Sequence, residues 1–249
     1  MVVFFGPAGS GKSTLTGIFG DWLRGEGYSV HIINIDAGVE ILPYEPWIDV
    51  RNHFTLVSLM KQEKLGPNGA FLRSMELLPT LLKEWRSKMV ESETDFFLVD
   101  TPGQLEAFLL HPGGVRTINV FSKTVGNRIV GFFLLNADFL KRRKDVAMLS
   151  FLTLAFQLRF YLPVLPVVSK ADVLPESLRE KPLDLDETLK VLTKEGSSQS
   201  ALMAQILEIV KNYGFLERII KLSALKDTNM SLYELFTLTH EAFCTCGDL

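Results

Sequence analysis

The chain has 249 residues, 47% of them hydrophobic, which suits one α/β domain with insertions or at most two domains. Lys and Arg number 26 against 29 Asp and Glu, so the formal net charge is −3 and no global attraction for nucleic acid or anionic lipid is expected. The longest apolar stretch, residues 146–156, falls short of the ~18–20 residues a membrane span needs. Residues 2–5 are apolar but too few for a signal core, and no basic stretch precedes them. Cys244 and Cys246 are too close in sequence for an unstrained disulfide, which points to a reduced, cytoplasmic protein. Two thiols make at most half a zinc site, and the four histidines show no paired spacing.

Residues 2–5 read as the first strand. Gly6-Pro7-Ala8-Gly9-Ser10-Gly11-Lys12-Ser13 follows and matches G-x-x-x-x-G-K-[ST], placed between a strand and a helix over 12–26. Backbone N–H groups of such a turn curl around phosphate, and the helix N-terminus adds positive potential. Lys12 supplies a cation for the β and γ oxygens. Ser13 offers a hydroxyl to magnesium, and Thr14 is placed for the α-phosphate.

A second strand over 30–35 ends at Asp36, a candidate for the metal shell. The segment 37–49, with Pro43 and Pro46, is too long for a tight connection and belongs to the site by that criterion. Helices are expected over 56–64 and 71–90. A third strand over 96–99 runs into Asp100-Thr101-Pro102-Gly103-Gln104. There Asp100 would serve the metal, Gly103 the γ-phosphate, and Gln104 an attacking water. A helix over 104–124 and a strand over 129–135 come next. The basic run 141–144 reads as a solvated loop or helix start, and 146–161 as a buried helix.

After a strand over 165–168 stands Ser169-Lys170-Ala171-Asp172, close to the N-K-x-D pattern of guanine readers. The Asp accepts from guanine N1–H and N2–H₂, which adenine cannot both supply. After a helical stretch over 185–213, broken somewhere, and a strand over 219–222, Ser223-Ala224-Leu225 occupies the place of a second base-reading element. A last helix is expected over 231–243. Strands alternating with helices imply a doubly wound, mostly parallel α/β sheet with helices on both faces, the P-loop NTPase fold. Residues 1–249 read as one such domain, with insertions at about 37–91 and 176–213.

Gly66-Pro67-Asn68 lies between the second and third strands. With the early phosphate loop, Asp36 and the 100–104 string, it makes the whole chain resemble the GPN-loop GTPases. The ending from Cys244 to Leu249 resembles archaeal members. The resemblance implies GTP hydrolysis to GDP and phosphate with Mg2+ in a homodimer whose phosphate loops face each other. It places Asn68 of one subunit at the γ-phosphate of the other, with Asp36 or Glu106 as proton acceptor beside Gln104. It also implies a protein partner, with RNA polymerase assembly associated with eukaryotic relatives. Ser169 and Leu225 depart from the usual guanine-reading residues. Two other readings stay open: a nucleotide-gated assembly chaperone with negligible turnover, and a P-loop small-molecule or nucleoside kinase.

Overall fold

The computed structural model describes residues 1–180, 182–212, 219–223 and 228–245. The chain divides into two compact units, Met1–Val130 with the segment from Phe243, and Gly131–Ala242. Each is considered by itself.

In the first unit, β1 (Val2–Phe5), β2 (Val30–Asn34), β3 (Ile48–Asp49) and β4 (Phe96–Asp100) lie in the order β3-β2-β4-β1. Every pairing among them is parallel, with Ile32 beside Leu98 and Val3 beside Val99. All residues of β1 and β4 are buried, as expected of strands covered on both faces. The parallel arrangement brings the C-terminal ends of β1, β2 and β4 to one edge: Phe4 and Asn34 both pair with Asp100. β3 was not legible in sequence because two residues cannot show a period of two.

Helix α1 (Lys12–Gly25) buries Leu15, Phe19 and Leu23, with Phe19 meeting Phe4 edge-on at 6.4 Å between centroids. Two of the expected helices have different limits. The one expected over 71–90 is α3 (Pro67–Glu91), preceded by the short α2 (Leu56–Gln62). It starts early because Gly66 is extended, at φ −74° and ψ 171°, and Pro67 takes the first helical position, where a missing N–H costs nothing. The one expected over 104–124 is broken into α4 (Leu105–Leu110) and α5 (Pro112–Thr124). Pro112 drives His111 out of the helical region, to ψ 137°, and the break follows. The imidazole Nδ1 of His111 then accepts from Gly113 N–H at 3.0 Å and caps α5.

In the second unit, β5 (Val130–Asn136), β6 (Val164–Ser169) and β7 (Ile220–Leu222) are parallel in that order. Pro166 is tolerated in β6 because β7 pairs only from Val167 onward. Helix α6 (Asp145–Phe160) buries Val146, Leu149, Phe156 and Phe160, so most of the apolar stretch is core, although Met148 and Leu158 are exposed. The polar stretch after β6 carries α7 (Glu176–Arg179), α8 (Leu185–Glu195) and α9 (Ser198–Asn212), with Gly196 at φ 66° ending α8. The basic run is largely neutralised: Arg143 pairs with Glu187 at 2.9 Å and Lys144 with Glu195 at 3.1 Å. α10 (Thr228–Thr245) closes the described chain, and Cys244 in it is exposed, with no disulfide among the described residues. Cys246 lies outside the described residues. No described helix is long and apolar enough to cross a membrane.

The start of α5 is packed to the limit. A Cβ on Gly113 would collide with the Met75 carbonyl oxygen of α3, and one on Gly114 with the Phe108 carbonyl oxygen of α4. Backbone cannot yield as a flexible side chain does. Gly114→Ala should therefore destabilise the protein by at least about 2 kcal/mol in urea unfolding. Gly25→Ala, where the space is open, should change stability by no more than about 0.5–1 kcal/mol, in the stabilising direction.

Candidate functional site

The phosphate loop joins β1 to α1. Gly9 at φ 75° and Gly11 at φ 88° occupy the left-handed region that glycine enters without a Cβ penalty. A Cβ on Gly9 would meet nothing within 4 Å, so its requirement is conformational and the loop is open above it. Ser10 N–H donates to the Pro7 carbonyl at 3.2 Å and closes the turn. The Lys12 ammonium is buried and donates to the same carbonyl at 3.1 Å. Pro7 and Ser13 are half-buried, while Ala8, Gly9 and Thr14 are exposed.

Two carboxylates face this lysine from the ends of neighbouring strands. Asp100 ends β4 and is 1% exposed. Burial pushes its carboxyl above the usual range, opposed by the Ser13 hydroxyl, the Tyr44 hydroxyl and the Lys12 charge. Asp36 follows β2. Burial raises it too, against the Gly38 N–H, the Lys12 charge and the Gly103 N–H. Lys12 is lowered by burial, with Asp100 and Asp36 both working to keep it charged. Two acids share one base, so ionising all three leaves one negative charge in excess.

That excess and one orphaned atom decide whether a cation fits. Asp100 Oδ1 is buried and the Ser13 hydroxyl beside the carboxyl closes no well-formed hydrogen bond to it, whereas Oδ2 accepts from Tyr44 at 2.8 Å. An unpartnered anionic oxygen is a donor atom for a hard divalent ion. No cluster of three or more His, Cys, Asp or Glu exists among the described residues. Two carboxylates and a serine suit magnesium, which keeps its waters and shares substrate phosphate rather than occupying an all-protein cage.

The loop after β4 lies against the phosphate loop. Thr101 donates its hydroxyl to the Phe4 carbonyl at 2.6 Å. A Cβ on Gly103 would sit 3.1 Å from the Ala8 Cα, so glycine is what allows this approach. Gln104 is half-buried at the start of α4, and its side chain makes no hydrogen bond among the described residues.

The structure therefore brings Ala8, Lys12, Ser13, Asp36, Asp100 and Gly103 together. No hydrogen bond or ion pair joins Asn68 or Glu106 to them among the described residues. Asn68 is exposed on the first turn of α3 and Glu106 on the first turn of α4, neither with a hydrogen bond or ion pair among the described residues. Gly66 is also exposed, at a negative φ and with open space where a Cβ would stand, so nothing within this unit demands glycine there. Pro67 and Asn68 are helical, not a separate loop ahead of the helix.

Sequence reasoning missed Tyr44. Its signal was a lone aromatic between Pro43 and Pro46 in a segment already assigned to the site. Gly17 of α1 makes room for it: a Cβ there would lie 3.4 Å from the Pro43 carbonyl and 3.5 Å from Tyr44. Also missed was the network that holds this segment. Asn34 donates to Asp49 at 2.9 Å, and its own carbonyl accepts from Asp36 N–H at 3.0 Å. Asp49 takes Arg51 in a bidentate pair, Oδ2 accepting at 2.6 Å and Oδ1 at 3.1 Å, and Arg51 also donates to the Glu40 carbonyl at 2.9 Å. Arg51 is thus engaged within its own loop.

In the second unit, Ser169-Lys170-Ala171-Asp172 forms the turn after β6, with Lys170 at φ 54°. Asp172 is half-buried and its Oδ1 accepts from the Ser223 hydroxyl at 2.8 Å, across the neighbouring ends of β6 and β7. The buried Ser169 hydroxyl has no partner. A serine stem is too short for the tie an asparagine makes. Ala224 and Leu225 lie outside the described residues.

The family described as "Conserved hypothetical ATP binding protein" matches residues 4–245. The chain is 38% identical to GPN-loop GTPase PAB0955 of Pyrococcus abyssi over all of this chain and 99% of that one. It is 26% identical to GPN-loop GTPase 3 of Saccharomyces cerevisiae, over 87% of this chain and 83% of that one. The crystal structure of PAB0955, titled a GTPase in apo form, aligns with a TM-score of 0.85 at 35% identity, covering 98% of each chain.

Removing the phenol tests the Tyr44 contact. Tyr44→Phe keeps the ring beside Gly17 but leaves a buried carboxylate oxygen without its donor. The nucleotide-free protein should lose about 1–3 kcal/mol of stability, measured as a lower urea midpoint. An unchanged midpoint would mean the hydrogen bond is not maintained in solution.

Proposed function

The chain belongs to the GPN-loop GTPase family and is a GTP-binding hydrolase, and from that premise we propose that it works as a dimeric, magnesium-dependent switch controlling assembly of a protein complex. The observation that carries the reading is buried Lys12 set against Asp36 and Asp100, with one Asp100 oxygen unpartnered. In this reading residues 1–249 act as one GTPase domain. RNA polymerase is the complex suggested by the family resemblance. Retention of a partner by the protein locked with a GTP analogue, and its release with GDP, supports the switch.

The loop from Pro7 to Gly11 wraps the phosphates with amides from Ala8 onward, and Lys12 neutralises the β and γ oxygens. Thr14 reaches the α-phosphate, and Gly103 N–H serves the γ-phosphate. Asp100, Asp36 and Ser13 would hold magnesium or its waters. When bound, the ion offsets charge on the transferred phosphate. Gln104, which has no competing hydrogen bond among the described residues, orients water. Of the two proton acceptors, Asp36 is favoured over Glu106: it faces the cradle and burial raises its carboxyl, whereas Glu106 is exposed.

The matching family's description names ATP, whereas the named relatives are GTPases. The choice of guanine rests on Asp172, one of whose oxygens is held by Ser223, with Lys170 packing over the base and Ser169, Ala224 and Leu225 completing the two base-reading motifs of the sequence. Calorimetry should give GTP affinity above ATP affinity by up to about 10⁴-fold, because a carboxylate left unpaired rejects the wrong base. Asp172→Asn should weaken GTP and favour a xanthine nucleotide, whose C2 carbonyl can accept from the new amide. Equal GTP and ATP affinities in the parent protein would sink the guanine assignment.

Gly66-Pro67-Asn68 would act across the dimer interface. Asn68 is exposed and unengaged among the described residues of its own unit, which supports a role across an interface. It is neutral, with two donors and an acceptor, and can hold water against phosphate without repulsion. Mixing Lys12→Ala protein with Asn68→Ala protein should restore activity in one site of each mixed dimer. Heterodimers that form yet stay inactive would place Asn68 in cis or outside the mechanism.

A further inference from the structure

We propose that the groove between α3 and α5 docks an acidic segment of a partner protein. The groove has a volume of about 610 Å³, within the range of built ligand sites, and lies wholly in the first unit. Its walls are one stripe of each helix. Pro79, Lys83 and Arg86 stand four and three residues apart on α3, and Arg116, Val120 and Lys123 stand four and three apart on α5. That spacing puts each set on a single helical face.

Four cations line this groove: Lys83, Arg86, Arg116 and Lys123. All four are exposed, and no ion pair or hydrogen bond engages any of them among the described residues. The one acid in the lining, Glu76, is already taken by Arg73 at 3.0 Å, outside the groove. A chain of net charge −3 thus concentrates four unmatched positive charges in one concavity. The basic run 141–144, by contrast, has carboxylate partners for Arg143 and Lys144. Like charges held together without counter-charge destabilise a fold unless something outside supplies it, and a concave site focuses their field on an incoming anion.

The floor decides which polyanion fits. Pro79 is buried and Val120 half-buried beneath the cationic rim, which gives apolar side chains a place to rest. A peptide carrying both carboxylates and apolar side chains matches floor and rim together. A sugar–phosphate backbone matches the rim alone and must also approach a chain that is negative overall. Docking here is separate from the nucleotide chemistry, because none of these residues belongs to the cradle.

The test uses the full chain and a fluorescein-labelled peptide of 14 residues, alternating glutamate-rich and leucine positions, read by anisotropy. The parent protein should bind it saturably, and more weakly as salt is raised. The double variant Lys83→Glu/Arg116→Glu should bind about tenfold more weakly or worse, while its GTP affinity stays unchanged. Should charge reversal impair folding, Lys83→Gln/Arg116→Gln gives the same comparison with a smaller loss. No binding by the parent protein, or equal binding by the variants, overturns the proposal. So does stronger binding of a 14-nucleotide RNA than of the peptide. Sedimentation showing that the variants lose only self-association would assign the groove to a second copy of the chain. GTP affinity, measured on the same samples, separates failure here from failure of the GTPase reading.

Discussion

One buried ammonium serving a buried and a half-buried carboxylate is the constraint on which the rest of the first unit depends. Lys12, Asp36 and Asp100 come from three places in the chain, and each is strained by the loss of water. Desolvation of an unpaired charge costs several kcal/mol, so none would tolerate its place alone. Parallel strand pairing makes the meeting unavoidable. With β1, β2 and β4 in register, the loop after β1, the turn after β2 and the last residue of β4 emerge at the same edge. With all three ionised the cluster is one cation short of neutrality, which makes it a poor core and leaves a place for a cation.

The neighbouring groups confine that imbalance. Tyr44 gives Asp100 a donor without adding charge, and so turns the carboxylate to leave only Oδ1 unmatched. Asn34 holds the backbone of Asp36 on one side and the carboxylate of Asp49 on the other. Asp49 in turn binds Arg51, which therefore acts on Asp36 through its charge and not through a hydrogen bond. Burial alone would raise the Asp49 carboxyl, yet its bonds from Arg51 and Asn34 hold it below the ordinary range, so this anchor stays ionised at neutral pH. The segment 37–49 is therefore tied at both ends to groups that touch the phosphate cradle. Ligand-induced changes at Asp100 have a short path into it through one hydroxyl.

Glycine and proline set the distances. Gly103 lets the loop after β4 reach Ala8, and Gly17 lets Tyr44 lie on α1. Gly113 and Gly114 let α5 cross beneath carbonyls of α3 and α4, which fixes the two helix faces that form the basic groove. Pro112 places that crossing by ending α4 one turn early. These positions carry no chemistry, yet each controls how closely two elements that do can approach.

The sequence by itself determined the elements whose cause is local. The phosphate loop, the apolar strands and most helix limits follow from residue type and spacing, because the propensity and turn chemistry that produce them act over a few neighbours. The order of the nucleotide motifs was legible for the same reason, and with it the family. Tertiary structure alone decided the rest. The two-residue β3 exists only because β2 offers it an edge. The unpartnered Asp100 oxygen, the Tyr44 bond and the Ser223 bond to Asp172 join residues 56 and 51 positions apart in the last two cases. The groove pairs stripes of two helices whose charges look like ordinary solvated faces when read singly. Such features depend on which surfaces meet, and a linear pattern records what each surface carries without recording its partner.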